Sequence, residues 1–133
     1  MANAIYPKFK EALMQAASNS SLAGTVKVAL VDTGVTAYSA AHDFYDDISA
    51  AVVGTPQAIG NKTYTNGTFD GDDVTFTAVA GDRAEAIVIY IDTGNPATSR
   101  LVAYLDTGQT GLPVTPNGGD ISISWNASGI FTL

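Results

Sequence analysis

Two nearly continuous apolar runs lie next to each other in the second half of the chain. The first, at 84–91, precedes Asp92, and the second, at 100–105, precedes Asp106. Both are rich in β-branched and aromatic residues, and short runs of this kind predict strands rather than helices. Their continuous apolarity predicts that both faces of each strand are covered. Because the loop at 93–99 is rich in turn formers, the two strands are expected to pair as a central hairpin.

Shorter segments on both sides of this hairpin also have strand patterns. In chain order they are 25–32, 74–79, 120–125 and 130–133. The dipeptide Asn66-Gly67 predicts a second hairpin. The segment 50–59 is weakly patterned and contains Pro56, so we expect a loop or an edge strand there.

The beginning of the chain has helical periodicity instead. Pro7 suits the first turn of a helix, and apolar residues including Phe9 and Leu13 then recur at helical spacing. These features predict one helix over 7–17. The N-terminal segment, 1–20, either covers the sheet or forms an arm that docks on a neighbouring subunit.

The predicted elements favour one mainly β domain over residues 1–133. Strands, turn-rich loops and a single N-terminal helix are typical of a small antiparallel β-sandwich or open barrel. The length of 133 residues fits one domain with a sizeable core. The chain has no cysteine, which excludes disulfides and thiolate metal sites.

The charge balance narrows the classes of partner. The formal net charge is −7 at pH 7. Nucleic-acid binding requires basic groups, and docking on anionic membranes does as well, so neither is expected. The chain has no apolar run long enough to cross a bilayer and no apolar signal core at its start. We therefore expect it to be made and folded in a cytoplasm.

The tripeptide Asp-Thr-Gly occurs three times, beginning at Asp32, Asp92 and Asp106, each time after an apolar strand. Such a loop is found in aspartic proteases, where two carboxylates share a proton. The alternative is a turn in which Asp accepts a hydrogen bond from the backbone two residues on and Gly supplies a positive φ. Three copies, two of them close together, favour the turn. A protease acting through Asp32-Thr33-Gly34 remains a remote alternative.

Two further polar clusters are candidate sites. The acidic turn at 70–73 has the ligand chemistry of a calcium site but lacks the spacing of an EF-hand loop, which favours a solvated turn. The single histidine, His42, lacks the partners of a zinc site and, with Asp43, is expected to cap a helical turn near Phe44. No metal, cofactor or catalytic residue is predicted, and the chain is not expected to be an enzyme.

Several segments together resemble a family of small virion proteins of tailed bacteriophages. The similarity extends over nearly the whole chain, and its most specific parts are Ala41-His42-Asp43-Phe44 with Asp46-Asp47-Ile48, and Pro116-Asn117-Gly118-Gly119-Asp120. Further matching segments are 1–10, 26–32, 66–76 and 112–115. One departure is that the family pattern often continues with Gly-Ala-Arg-Val soon after Asp-Asp-Ile, where this chain has Ser49-Ala50-Ala51-Val52-Val53, so the basic residue of the pattern is missing here.

The resemblance implies a structural, non-enzymatic role in the bacteriophage virion. The function it favours is capsid decoration: a cement protein that binds the outer head shell, with the major capsid protein as partner, and stabilises it. Decoration proteins tend to assemble at symmetry axes, so a homo-oligomer is expected, with a trimer as the specific expectation. The alternative is a tail or head–tail junction component, or a host-surface-binding protein.

The expected contact residues come from two segments that have no evident role in the core. One is the N-terminal segment and the other is the Pro/Gly-rich loop at 112–119. The candidate partner-binding residues are Ala2, Asn3, Ile5, Tyr6, Pro7, Phe9, Leu112, Pro113, Pro116 and Asn117.

Overall fold

The computed structural model describes residues 3–133 and consists mainly of antiparallel β-strands with one α-helix. The strands are β1 (Ala4–Ile5), β2 (Val26–Val31), β3 (Val52–Ala58), β4 (Thr68–Phe69), β5 (Val74–Phe76), β6 (Ala86–Ile91), β7 (Arg100–Leu105), β8 (Ile121–Ile123) and β9 (Phe131–Thr132). The helix, α1, spans Pro7–Met14. Three short 3-10 helices span Tyr45–Asp47, Ser49–Ala51 and Thr65–Gly67.

The predicted central hairpin is confirmed. Strands β6 and β7 pair antiparallel, with Ile87 opposite Leu105 and Ile89 opposite Ala103. Every residue of β6 is buried, as is every residue of β7 except Arg100. The continuous apolarity of the two runs therefore corresponds to coverage on both faces.

The hairpin lies in a five-stranded sheet with the order β1-β7-β6-β2-β3. The segment 50–59, expected to be a loop or an edge strand, forms the edge strand β3. Its Pro56 therefore lies in an edge strand, which pairs on one side only, so the missing backbone N–H of proline removes few hydrogen bonds from the sheet. At the opposite edge, β1 pairs with β7, which brings Ala4 opposite Tyr104.

Two small antiparallel sheets complete the structure. Strand β5 pairs with β8 and β4 pairs with β9. Alternation in β5 and β8 is as predicted, because Thr75 and Ser122 are exposed between buried neighbours. One hydrophobic cluster extends from Tyr6 to Ile130 and includes residues of all three sheets. The architecture is that of a small sandwich with one helix, without a closed barrel.

Three local predictions need correction. The helix ends at Met14 rather than Ala17, and the backbone turns left-handed at Ala16 with a φ of 50°. The Asn66-Gly67 hairpin is reduced to a single bridge between Thr63 and Asp70, because the residues that follow the turn pair with β9 instead.

The third correction concerns the helical turn near His42, which is present but is capped by a different side chain. The carboxylate of Asp47 accepts the backbone N–H groups of Asp43 and Phe44, at 2.9 and 3.3 Å. Neither His42 nor Asp43 supplies a cap. The turn itself, Tyr45–Asp47, lies one residue after Phe44.

Candidate functional site

The N-terminal segment packs on its own sheet. Tyr6 donates its backbone N–H to Val102 at 3.0 Å, and the Tyr6 ring lies 5.3 Å from that of Tyr38. Tyr6 is 1% exposed and Phe9 is 0% exposed. These two candidate contact residues therefore belong to the core and offer no exposed surface in this conformation. The helix α1 therefore covers its own sheet.

The other N-terminal candidates lie nearer the surface. Asn3 and Pro7 are exposed and Ile5 is half-buried, whereas Ala2 lies outside the described residues. The Asn3 side chain is already engaged, since its Oδ1 accepts the backbone N–H groups of Asp106 and Thr107 at 2.6 and 3.0 Å. It fixes the turn after β7 and is not available as a free amide.

The loop at 112–119 is an ordered surface segment. Val114 forms an isolated bridge with Ala84, and Gly118 donates its backbone N–H to Val79 at 2.7 Å. The candidates Leu112 and Pro116 are half-buried, whereas Pro113 and Asn117 are exposed. The loop thus presents two of its four candidates to solvent and uses Leu112 to pack against the core.

An exposed apolar concavity of about 300 Å³ lies between α1 and the last strand. This apolar groove is lined by Ile5, Lys10, Leu13, Met14, Thr132 and Leu133. Leu13 is 38% exposed, Met14 81% and Leu133 60%. Among the described residues, three of the five exposed large apolar side chains thus lie together here. Clustering of this kind is typical of a surface that contacts another molecule.

The sequence reasoning identified only part of this groove. Ile5 was a candidate contact residue, but helical periodicity placed Leu13 on the buried face, and Met14 and Leu133 were not singled out. The available signal was the Leu13-Met14 pair at the end of the helix. Two successive apolar residues cannot both lie on a narrow buried stripe.

The Asp-Thr-Gly loops at Asp32 and Asp92 are turns. Each carboxylate accepts the backbone N–H of the glycine two residues on, Gly34 at 2.8 Å and Gly94 at 3.0 Å. Since β2 and β6 are antiparallel, the two aspartates lie at opposite ends of the sheet. Asp106 follows β7 at the same end as Asp32, with β6 between the two strands. Asp32 and Asp92 are therefore not positioned to share a proton.

The environment of Asp92 is fixed by an ion pair. Its Oδ2 lies 2.9 Å from the Lys27 ammonium on the neighbouring strand. The hydrogen bond from Lys27, followed by that from the Gly94 backbone, holds the pKa of Asp92 below its usual range. This carboxylate is thereby kept ionised as part of a structural contact.

The acidic turn at 70–73 uses its carboxylates within the chain. Asp70 accepts the backbone N–H of Gly71, Asp72 accepts the side-chain amide of Asn61, and Asp73 accepts the backbone N–H of Trp125. No group of three or more acidic or histidine side chains within residues 3–133 is placed to hold a metal ion.

The carboxyls of Asp43 and Asp47 share a hydrogen bond. Burial raises the pKa of Asp43, and its hydrogen bond with Asp47 raises it further. Burial acts to raise the pKa of Asp47 too, but the backbone N–H groups of Asp43 and Phe44, together with the hydrogen bond from the Asp43 side chain, outweigh it and lower that pKa. The opposite shifts match the role of Asp47 as the ionised cap of the turn.

Comparison with known proteins adds no assignment. A scan against protein-family models finds no match, and a search of the curated proteins finds no similar sequence. Within residues 3–133, no helix has the length and apolarity needed to cross a membrane.

Proposed function

We propose that this chain is a non-enzymatic capsid decoration protein of a bacteriophage, which binds the outer head shell through the apolar groove and stabilises it. The observation that carries the proposal is the groove itself, with Met14, Leu133 and Leu13 exposed around it. The sequence resemblance to small virion proteins supplies the partner, the major capsid protein.

The groove has the physical character of a contact surface. Burying a large apolar side chain contributes about 1.5–3 kcal/mol, so Leu13, Met14 and Leu133 together offer a useful but modest affinity. They lie on α1 and beside β9, both of which pack on the core, so docking requires little ordering of the chain. Lys10 at its rim adds a positive charge to an otherwise acidic protein, which favours a partner with apolar and acidic groups.

Many copies make a modest affinity sufficient. Each bound copy stabilises the assembled shell over the dissociated subunits by mass action. Self-association of the decoration protein, which we propose to be trimeric, would let several grooves engage at once and raise the overall affinity by avidity. The exposed candidates Pro113 and Asn117 would then serve as further contacts, with the shell or with a second copy.

Cryo-EM reconstruction of particles carrying this protein tests the proposal. Density repeated over the whole head shell, with α1 facing the capsid, is the expected result. Density confined to the tail or the portal would overturn the assignment in favour of the tail or head–tail junction alternative. Absence from purified particles would reject a structural role in the virion. Analytical ultracentrifugation of the isolated protein tests the trimer.

Substitution of a groove residue tests the surface. Met14→Asp introduces a charge at a side chain that is 81% exposed, so the fold is retained while docking is opposed. We expect occupancy on particles to fall by roughly tenfold. Val35→Asp is the matched control, because Val35 is also exposed, at 53%, but lies outside the groove. Equal occupancy of both variants would show that the shell is bound by another surface.

A further inference from the structure

A second concavity, the polar cleft, adjoins the apolar groove. Its volume is about 310 Å³, and Thr132 lines both. Its walls come from the turn after β7, from the turn that precedes β9 and from Asn3, with the Trp125 and Phe131 side chains among its apolar surfaces. A cleft of this size is at the lower end of small-molecule sites.

The walls of the cleft are held by the chain itself. The Asn3 side chain both accepts hydrogen bonds from the backbone of the 106–107 turn and donates one to it. Its Oδ1 accepts the two N–H groups, and its Nδ2 donates to the Thr107 carbonyl at 2.8 Å. On the other wall, Asn126 Oδ1 accepts the Ser128 backbone N–H at 2.9 Å. Gly129 has a φ of 108°, and a Cβ there would lie 2.4 Å from Thr68 Cγ2. The cleft is thus preformed, which lowers the entropic cost of binding a ligand.

The chemistry of the lining is neutral, polar and aromatic. Among residues 3–133, none of the side chains that line the cleft is charged, although the protein has a net charge of −7. Amides from Gln109 and Asn126 and hydroxyls from Thr107 and Ser128 supply the polar groups. The Trp125 indole N–H is already used, donating to the Asp72 carbonyl at 2.8 Å, which leaves the apolar part of this half-buried ring for contact.

One donor of a residue that lines the cleft has no partner within residues 3–133. The Nε2 of Gln109 is buried from solvent and makes no hydrogen bond there. A buried donor without an acceptor costs about 1–3 kcal/mol. The Gln109 side chain is only half-buried, so rotation of its carboxamide toward the cleft would let an acceptor brought by a ligand remove that cost. The neighbouring bridge between Thr110 and Ser124 holds the segment that carries this amide.

We propose that the polar cleft binds a neutral carbohydrate of one or two sugar rings. A sugar presents hydroxyls that both donate and accept, which matches the carboxamides of Gln109 and Asn126. It also presents a C–H face that packs on an aromatic ring such as Trp125. An anionic ligand is opposed by the charge of the protein, and a cationic one would find no carboxylate in the lining. The site does not depend on whether the protein decorates a capsid.

NMR titration of the whole chain with a panel of sugars tests this site. The panel contains glucose, galactose, N-acetylglucosamine and N-acetylgalactosamine as single rings and maltose and lactose as two-ring sugars, with sialic acid as the charged comparator. We expect saturable shifts of the Gln109 and Asn126 side-chain amides and the Trp125 indole with at least one neutral sugar. No shift with any neutral sugar, or shifts with sialic acid alone, would overturn the proposal.

Two variants test whether the Gln109 carboxamide contributes to sugar binding. Gln109→Glu keeps the size of the side chain but removes the Nε2 donor, and Gln109→Leu removes both polar atoms. Each is expected to weaken sugar binding roughly tenfold. Gln57→Leu, on the edge strand β3 and outside the cleft, should bind as the unchanged protein does. Unaltered affinity in both Gln109 variants would reject this cleft as the binding site.

Discussion

Asp32 and Asp92 begin turns with the same backbone hydrogen bond, but among the described residues only Asp92 also has a cation partner, the ammonium of Lys27. Asparagine keeps the oxygen that accepts the glycine N–H and removes the charge. We expect Asp92→Asn to lower the free energy of unfolding by about 0.5–1 kcal/mol at pH 7, the usual range for a partly exposed ion pair. Urea unfolding measures the loss.

The pH dependence of that loss follows from the direction of the shift. The pKa of Asp92 is lowered in the folded state, chiefly by the Lys27 hydrogen bond. The stabilisation is therefore fully present above the unfolded pKa of about 3.9 and disappears as the pH falls through the folded value. The variant and the original protein should converge in strongly acidic solution. Asp32→Asn is the matched control, and an equal loss there would show that the turn, rather than the ion pair, carries the effect.

Tyr6 carries an opposite pH dependence. Burial, followed by the neighbouring Tyr38 phenol, raises the pKa of Tyr6 above its ordinary value of about 10. The stabilisation that accompanies a raised pKa is fully present at pH values below the pKa of the unfolded chain. It is lost as the pH rises from there through the pKa of the folded state. We expect stability to fall by about 1.4 kcal/mol per pH unit for such a tyrosine in that range.

Urea unfolding of Tyr6→Phe at neutral and alkaline pH measures the share of this one residue. The variant should lose less stability on going to alkaline pH than the original protein does. Tyr90, whose pKa burial also raises, remains in both proteins and accounts for part of the residual decline. Identical alkaline slopes would mean that the Tyr6 phenol ionises without unfolding.

Among the elements, the long connection between α1 and β2 depends on β7. Arg100 donates to the Ser18 carbonyl at 2.9 Å and to the Asn19 carbonyl at 3.3 Å, and its guanidinium lies 4.9 Å from the centre of the Phe44 ring. We expect Arg100→Leu to cost about 1–2 kcal/mol and to speed proteolysis and amide exchange within 15–25. Arg83→Leu is the control, since Arg83 is 59% exposed and its ion pair with Glu85 is long, at 3.8 Å. Equal protection in both variants would argue against this anchor.

Pattern reasoning succeeded where an element is long and its periodicity is strong. The apolar runs at β6 and β7 determine both their strand structure and their double coverage, and alternation at β5 and β8 determines which side chains are exposed. Pairing between distant short strands was not predictable. Strand β4 has two residues, too few for a period, and its partner β9 lies more than sixty positions away.

Predicting the surfaces was harder still. Burial of Tyr6 and Phe9 follows from their helix packing on its own sheet, and sequence periodicity could not distinguish that from packing on a partner. The groove depends on Leu133 coming beside Leu13, and the polar cleft on Gln109 coming beside Asn126. Both are products of tertiary pairing. Gln109 lies between Gly108 and Gly111, and glycines in such a segment indicate a surface loop without indicating what it contacts.

Considered as a whole, the molecule should unfold in one step, because the three sheets share one hydrophobic cluster. The single tryptophan, Trp125, follows β8 and reports on the small sheets, whereas far-ultraviolet circular dichroism reports mainly on the large one. We expect coincident urea transitions from the two signals.

Phe69→Leu should shift both transitions by the same amount, at a cost of about 1–3 kcal/mol, because Phe69 is 2% exposed and packs 5.2 Å from the Phe131 ring. Met14→Leu, at an exposed position, should shift neither. A tryptophan transition that moves alone would show instead that the small sheets unfold separately from the five-stranded sheet.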